Sequence, residues 1–113
     1  MLERVNFPEL KELDLRCNLI SDINILKKIN FNQLNILNLE LNLIKDINVL
    51  EKLDFKELKE LYLNNNLIWD INILEKVNFK KINKFELKGN KIDKKENHSI
   101  LLNLKLKLKK FRI

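Results

Sequence analysis

One phrase returns at a fixed interval in this chain. "LRCNLISDIN" occupies residues 15–24, "LELNLIKDIN" residues 39–48 and "LNNNLIWDIN" residues 63–72. Phe7, Phe31, Phe55 and Phe79 follow one another every 24 residues. A period of this length means that each unit is one small supersecondary element. Such a unit cannot bury its apolar side alone and must stack on copies of itself. The arrangement to expect is therefore an array of nearest neighbours.

Counted from each Phe, the unit reads F-x-x-L-x-x-L-x-L-x-x-N-x-I-x-D-I-N-x-L. The L-x-L alternation specifies a short strand with one apolar and one polar face. Stacked units would pair these strands in parallel, about 4.8 Å apart. Asn18, Asn42, Asn66 and Asn90 fall where the chain leaves the strand. A carboxamide both donates and accepts, so a ladder of Asn can satisfy buried turn groups. Replacing Asn42 with Ala is expected to cost about 1–3 kcal/mol. Asp22, Asp46 and Asp70 precede "INILKKI", "INVLEKL" and "INILEKV" and suit helix N-caps. Ile23, Ile25, Leu26 and Ile29 fall on one helical arc, predicting a short outer helix. The four Phe residues are expected to form an interior spine.

These positions resemble the leucine-rich repeat, whose signature is L-x-x-L-x-L-x-x-N-x-[LI]. Leu10, Leu13, Leu15, Asn18 and Ile20 carry it first, then Leu34, Leu37, Leu39, Asn42 and Ile44. Leu58, Leu61, Leu63, Asn66 and Ile68 follow, and Ile82, Phe85, Leu87, Asn90 and Ile92 close the series. "NLISDINIL" is further similar to the subclass found in bacterial internalins and in a protein phosphatase regulator, with units of about 22 residues. Here "KKINF" adds two residues on the outer side. The resemblance implies an α/β fold: a right-handed solenoid with a parallel concave β-sheet and short helices on its convex side. It also implies a module that binds a protein or peptide on the concave sheet.

The units divide the chain as one domain over residues 1–113. A partial N-terminal unit takes residues 1–6, full repeats take 7–30, 31–54 and 55–78, and a divergent repeat with a C-terminal cap takes 79–113. Leu2 and Val5 correspond to Leu26 and Ile29, so the chain is expected to enter through the helix of an incomplete unit. That leaves the first strand an open edge suited to self-pairing. After Ile92 the phrase breaks. Asn97 can cap a helix in which Ile100, Leu101, Leu104, Leu108 and Phe111 share a face, followed by a strand at "FRI". The rival reading is a strand over 102–108, where Leu and Lys alternate.

Composition narrows function further. Cys17 is the single cysteine, read as a small half-buried residue near a strand end, so no disulfide caps or metal cluster is expected. No signal peptide or membrane span is legible, and an intracellular location is expected. His98 is the lone histidine, read as solvent-facing at the start of the cap helix, and Gly89 alone cannot make a phosphate-cradling loop. The expectation is a non-enzymatic chain with no catalytic residue, cofactor or metal. Residues 1–78 carry 10 basic and 13 acidic side chains, residues 79–113 carry 12 and 3, and the net charge is +6. The basic end reads as a solvated cap surface, with anion binding as the alternative. Nucleic acid is disfavoured, because the basic tail lacks aromatic interleaving beyond Phe111 and no nucleic-acid-binding motif is legible.

The remaining signal lies in what varies between units. The first exposed strand row reads Glu12, Ile36, Glu60, Lys84 and the second Asp14, Asn38, Tyr62, Glu86. The third reads Arg16, Glu40, Asn64, Lys88, and a loop row reads Ser21, Lys45, Trp69, Asp93. Tyr62 and Trp69 are the candidate anchors, since such side chains dominate binding hot spots. Ile36, Asn38, Glu40, Glu60, Asn64, Glu86 and Lys88 complete the expected partner-binding set. The partner is an unidentified protein or peptide. A self-associating structural piece of a larger assembly is the alternative.

Overall fold

The computed structural model describes residues 5–6, 9–30, 33–53, 56–78 and 80–113. The expected Phe7, Phe31, Phe55 and Phe79 spine lies outside these residues. Among the described residues, five parallel strands form one sheet: β2 (Glu12–Asp14), β4 (Ile36–Asn38), β5 (Glu60–Tyr62), β6 (Lys84–Glu86) and β7 (Lys110–Arg112). They lie side by side in chain order, and the sheet does not close into a barrel. A second, two-stranded sheet pairs β1 (Val5–Asn6) with β3 (Ile29–Asn30). The fold is α/β with few helices.

The sequence period becomes the register. Leu13 pairs with Leu37, Leu37 with Leu61 and Leu61 with Phe85, each one unit apart. Phe85 then pairs with Phe111 across the divergent unit. Leu34, Leu37 and Leu39, with Leu58, Leu61 and Leu63, are at most 1% exposed. Their counterparts Leu10, Leu13 and Leu15 are only partly buried, because no strand pairs with the outer edge of β2 among the described residues. Its edge is three residues long and carries Glu12, Asp14 and the adjacent Arg16. Short, charged edges of this kind resist indiscriminate pairing.

The Asn ladder is present and interlocked. Asn42 Nδ2 donates to Leu15 O and Leu39 O at 3.0 Å, and its Oδ1 accepts Ile20 N. Asn66 repeats this with Leu39 O, Leu63 O and Ile44 N, and Asn90 with Leu63 O, Leu87 O and Ile68 N. Each side chain thus ties its own turn to the preceding one. Among the described residues, Asn18 bonds only within its own turn, to Leu15 O and Arg16 O, and is exposed.

The outer side departs from expectation. The short helices are 3-10 turns, Asn24–Lys28, Asn48–Lys52 and Asn72–Glu75. In the first, Ile23 and Leu26 are buried but Ile25 is 40% exposed, and the backbone of Ile29 has already entered β3. A tight turn with three residues per revolution cannot keep all four aliphatics on one side. Val5 sits opposite Ile29 as their equivalence requires, but in a strand and not in a helix. The aspartates do accept free amides: Asp22, Asp46 and Asp70 take the N–H of Asn24, Asn48 and Asn72 at 2.8–3.0 Å. They do so one residue before the N-cap, where Ile47 and Ile71 stand in the second and third turns. The Asn24 backbone amide, seconded by the Asn24 side chain, holds the Asp22 carboxyl below the usual range.

The C-terminal cap is helix and then strand. α1 (His98–Lys107) buries Ile100, Leu101 and Leu104, with Leu108 buried just beyond it. The alternating Leu and Lys are therefore read at helical spacing, and a strand over 102–108 is excluded. Asn97 is at the N-cap, but its side chain donates to Asp93 O at 2.7 Å and does not cap. Asp93 Oδ1 instead accepts the amides of Lys95 and Glu96. Among the described residues no helix is long and apolar enough to cross a membrane.

Candidate binding face

Strand pleating turns the residues on either side of the Leu row to the opposite face of the sheet. Pairing sets Glu12, Ile36, Glu60 and Lys84 in one line and extends it to Lys110. Asp14, Asn38, Tyr62 and Glu86 form the second line, which ends at Arg112. The third row stays in register just beyond the strands. Amides of Leu15, Leu39, Leu63 and Leu87 donate to Asn38, Tyr62, Glu86 and Arg112 carbonyls at 2.7–2.9 Å.

A linked cluster occupies the middle of the face. The Tyr62 hydroxyl donates to Glu60 Oε1, and Lys84 Nζ lies 5.2 Å from the centroid of the Tyr62 ring. A cation at that distance over the ring is attracted by its quadrupole. Lys84 Nζ also stands 3.9 Å from Glu86 Oε2, which is 3.8 Å from Arg112 Nε. Burial, and then the Glu60 hydrogen bond, push the Tyr62 phenol above its ordinary pKa. The adjoining Tyr62 side chain, and then the Glu86 and Glu60 carboxylates, raise the Lys84 ammonium above its ordinary pKa. Tyr62 is thus a half-buried ring already fixed in place, which lowers the entropic cost of using it as an anchor.

Two of the expected contact residues are not presented. Asn64 is 8% exposed and Glu86 9%. Asn64 Nδ2 donates to Glu40 Oε1 and to Glu86 Oε1 at 2.9 Å, while its Oδ1 accepts Lys88 N at 2.7 Å. One carboxamide therefore bridges three units and pulls both carboxylates down onto the sheet. Ile36, Asn38, Glu40 and Glu60 are half-buried and Lys88 is exposed. At the edge, Asp14 and Arg16 form a paired contact of 2.8 Å, and the guanidinium holds the Asp14 carboxyl below its usual range.

Trp69 stands apart. It is 63% exposed and lines a shallow hollow of about 170 Å³ with Lys45, Asp46, Asn48 and Asp70. No strand-row residue lines that hollow, so Tyr62 and Trp69 are not brought into one pocket. Its row partner Asp93 is occupied in capping and is not a free position.

One further row is constrained by the backbone itself. Cys17, Leu41 and Asn65 have φ of 58°, 56° and 57°, and Gly89 has 70°. This is the left-handed turn position of every unit, signalled in the sequence only by Asn65 and Gly89, whose residue types favour it. Cys17 is also exposed, and not half-buried as its place near a strand end suggested. Opposite substitutions test the row. Gly89→Ala is expected to lose about 1–2 kcal/mol, since an added Cβ would also lie 2.2 Å from Asn65 Oδ1. Cys17→Gly is expected to gain up to about 1 kcal/mol, as relief of the left-handed strain outweighs the flexibility of glycine. Urea midpoints read both signs.

At the C-terminal end, a hollow of about 520 Å³ has an apolar floor of Leu101, Leu102, Phe111 and Ile113. Lys88, Lys94, Lys105 and Arg112 surround it, with His98 alongside. Compared with known proteins, the sequence matches no protein-family model and no curated protein.

Proposed function

We propose that this chain is a leucine-rich-repeat solenoid, right-handed and concave on its five-stranded face, and that this face binds a protein or peptide without catalysis. The observation carrying the reading is the contrast within one register. The interior row is aliphatic or aromatic throughout and buried at Leu37, Leu61 and Phe85, whereas the second outward row changes chemistry at every step and holds a preset Tyr62 at its centre. Partner recognition rests first on Tyr62 with Ile36 and Lys84, and Trp69 contributes only to a partner large enough to reach the loop. The single exposed thiol suits a reducing, intracellular setting.

Affinity capture from native host extract tests this reading. A partner retained by the wild type is expected to bind Tyr62→Ala at least tenfold more weakly, with Trp69→Ala less affected. Equal binding by wild type and a Tyr62/Trp69 double alanine variant would remove the strand face as the site.

A second reading has its own observation, the basic hollow beside α1. Four cations around an apolar floor suit an anionic group, bound with a steep loss on adding salt. Titration with inorganic phosphate, followed through the amides of residues 88–113, distinguishes the two sites. A response of those amides that survives Tyr62→Ala belongs to the hollow.

A further inference from the structure

The two ends of the sheet are complementary. β2 and β7 are its terminal strands, and each has one edge with no strand on it among the described residues. Every internal step keeps one register, so a further parallel step is fixed in advance: residues 110, 111 and 112 would meet residues 12, 13 and 14 of another copy. That step sets Lys110 against Glu12, Phe111 against Leu13 and Arg112 against Asp14. Both outer pairs are of opposite charge, although within the chain Lys110 lies beside Lys84.

The apolar residues at both ends point the same way. Leu10, Leu13 and Leu15 at one end, and Phe111 and Ile113 at the other, are partly buried, while in the same rows inside the array every residue but Ile82 is almost fully covered. The backbone groups match as well. Ile36, Glu60 and Lys84 each donate an amide to the residue before the preceding strand, namely Lys11, Asn35 and Lys59. The amide of Glu12 would donate to Lys109 O in the same manner.

We propose that copies of this chain associate head to tail, β7 of one pairing in parallel with β2 of the next. The contact is heterologous, so it leaves an edge free at each end and propagates. It uses the sheet edges and leaves Tyr62 uncovered, so it stands independently of the strand-face reading.

Charge exchange tests it with the intact chain. Wild-type mass in sedimentation equilibrium is expected to rise with concentration and fall on adding salt. Glu12→Lys and Lys110→Glu, each alone, are expected to weaken association about tenfold, since each sets like charges directly opposite. An equimolar mixture of the two variants is expected to recover association, because Lys at position 12 of one then faces Glu at position 110 of the other. Both positions are exposed, and circular dichroism verifies that each variant is folded. A wild type that stays monomeric at millimolar concentration overturns the proposal. So do variants that associate like the wild type, a mixture that stays monomeric, or a closed dimer that grows no further.

Discussion

Asn66→Ala is expected to destabilise the fold by about 3 kcal/mol, whereas Asn18→Ala is expected to change it by less than about 0.5 kcal/mol. The same residue type at the same repeat position differs because of what each substitution strands. Leu39 O and Leu63 O keep a second donor, from Asn42 and Asn90 respectively, when Asn66 is lost. The Ile44 amide is less fortunate. Its hydrogen bond goes to Asn66 Oδ1 at 3.1 Å, and Ile44 is 0% exposed. An orphaned buried donor loses its full desolvation free energy. The void left by the shortened side chain adds to that. Asn18 strands nothing across units, because its bonds stay within one exposed turn. In thermal melts, roughly 15 °C is expected to separate the two variants for a domain of this size. Equal melting temperatures would mean that the ladder is ornamental.

Phe85→Ala is expected to cost about 4 kcal/mol. Phe85 is 0% exposed and occupies the core row between Leu61 and Phe111. Its ring centroid lies 5.7 Å from that of Phe111 at 40°, a tilted contact that adds to simple area burial. Phe111 of β7 packs on this ring, so alanine loosens the last strand of the sheet. Phe85→Leu restores the residue type of Leu37 and Leu61 and is expected to cost less than half as much. Guanidinium denaturation of the three forms gives the comparison.

How much of this was legible follows from which interactions are local. The core rows, their register and the Asn ladder were readable, because alternation and a strict period determine them without knowledge of partners. The cap helix was readable because Ile100, Leu101 and Leu104 recur at helical spacing while Asn97 marks the start. The outer turns were not, since Ile25 and Ile29 fit a helical arc in projection while a turn this short follows tighter geometry. Asn64 and Glu86 were read as exposed because alternation assigns a face and not a depth. Their burial depends on Asn64 meeting Glu40 and Glu86 from two other units. The left-handed row was half written: Gly89 and Asn65 signal it, while Cys17 and Leu41 adopt it without a residue type that favours it. Tyr62 was legible as an anchor, but its fixing by Glu60 and Lys84 needed the register.

The repeated letters build a frame, and the proposed binding takes place on the strand rows which that frame displays. Amide chemical-shift mapping with a captured partner tests it most directly. Shifts are expected to centre on residues 36, 38, 60, 62 and 84, with little change over the outer turns at 24–28, 48–52 and 72–75. Shifts confined to those outer turns or to the loop around Trp69, with β4 and β5 unmoved, would contradict it.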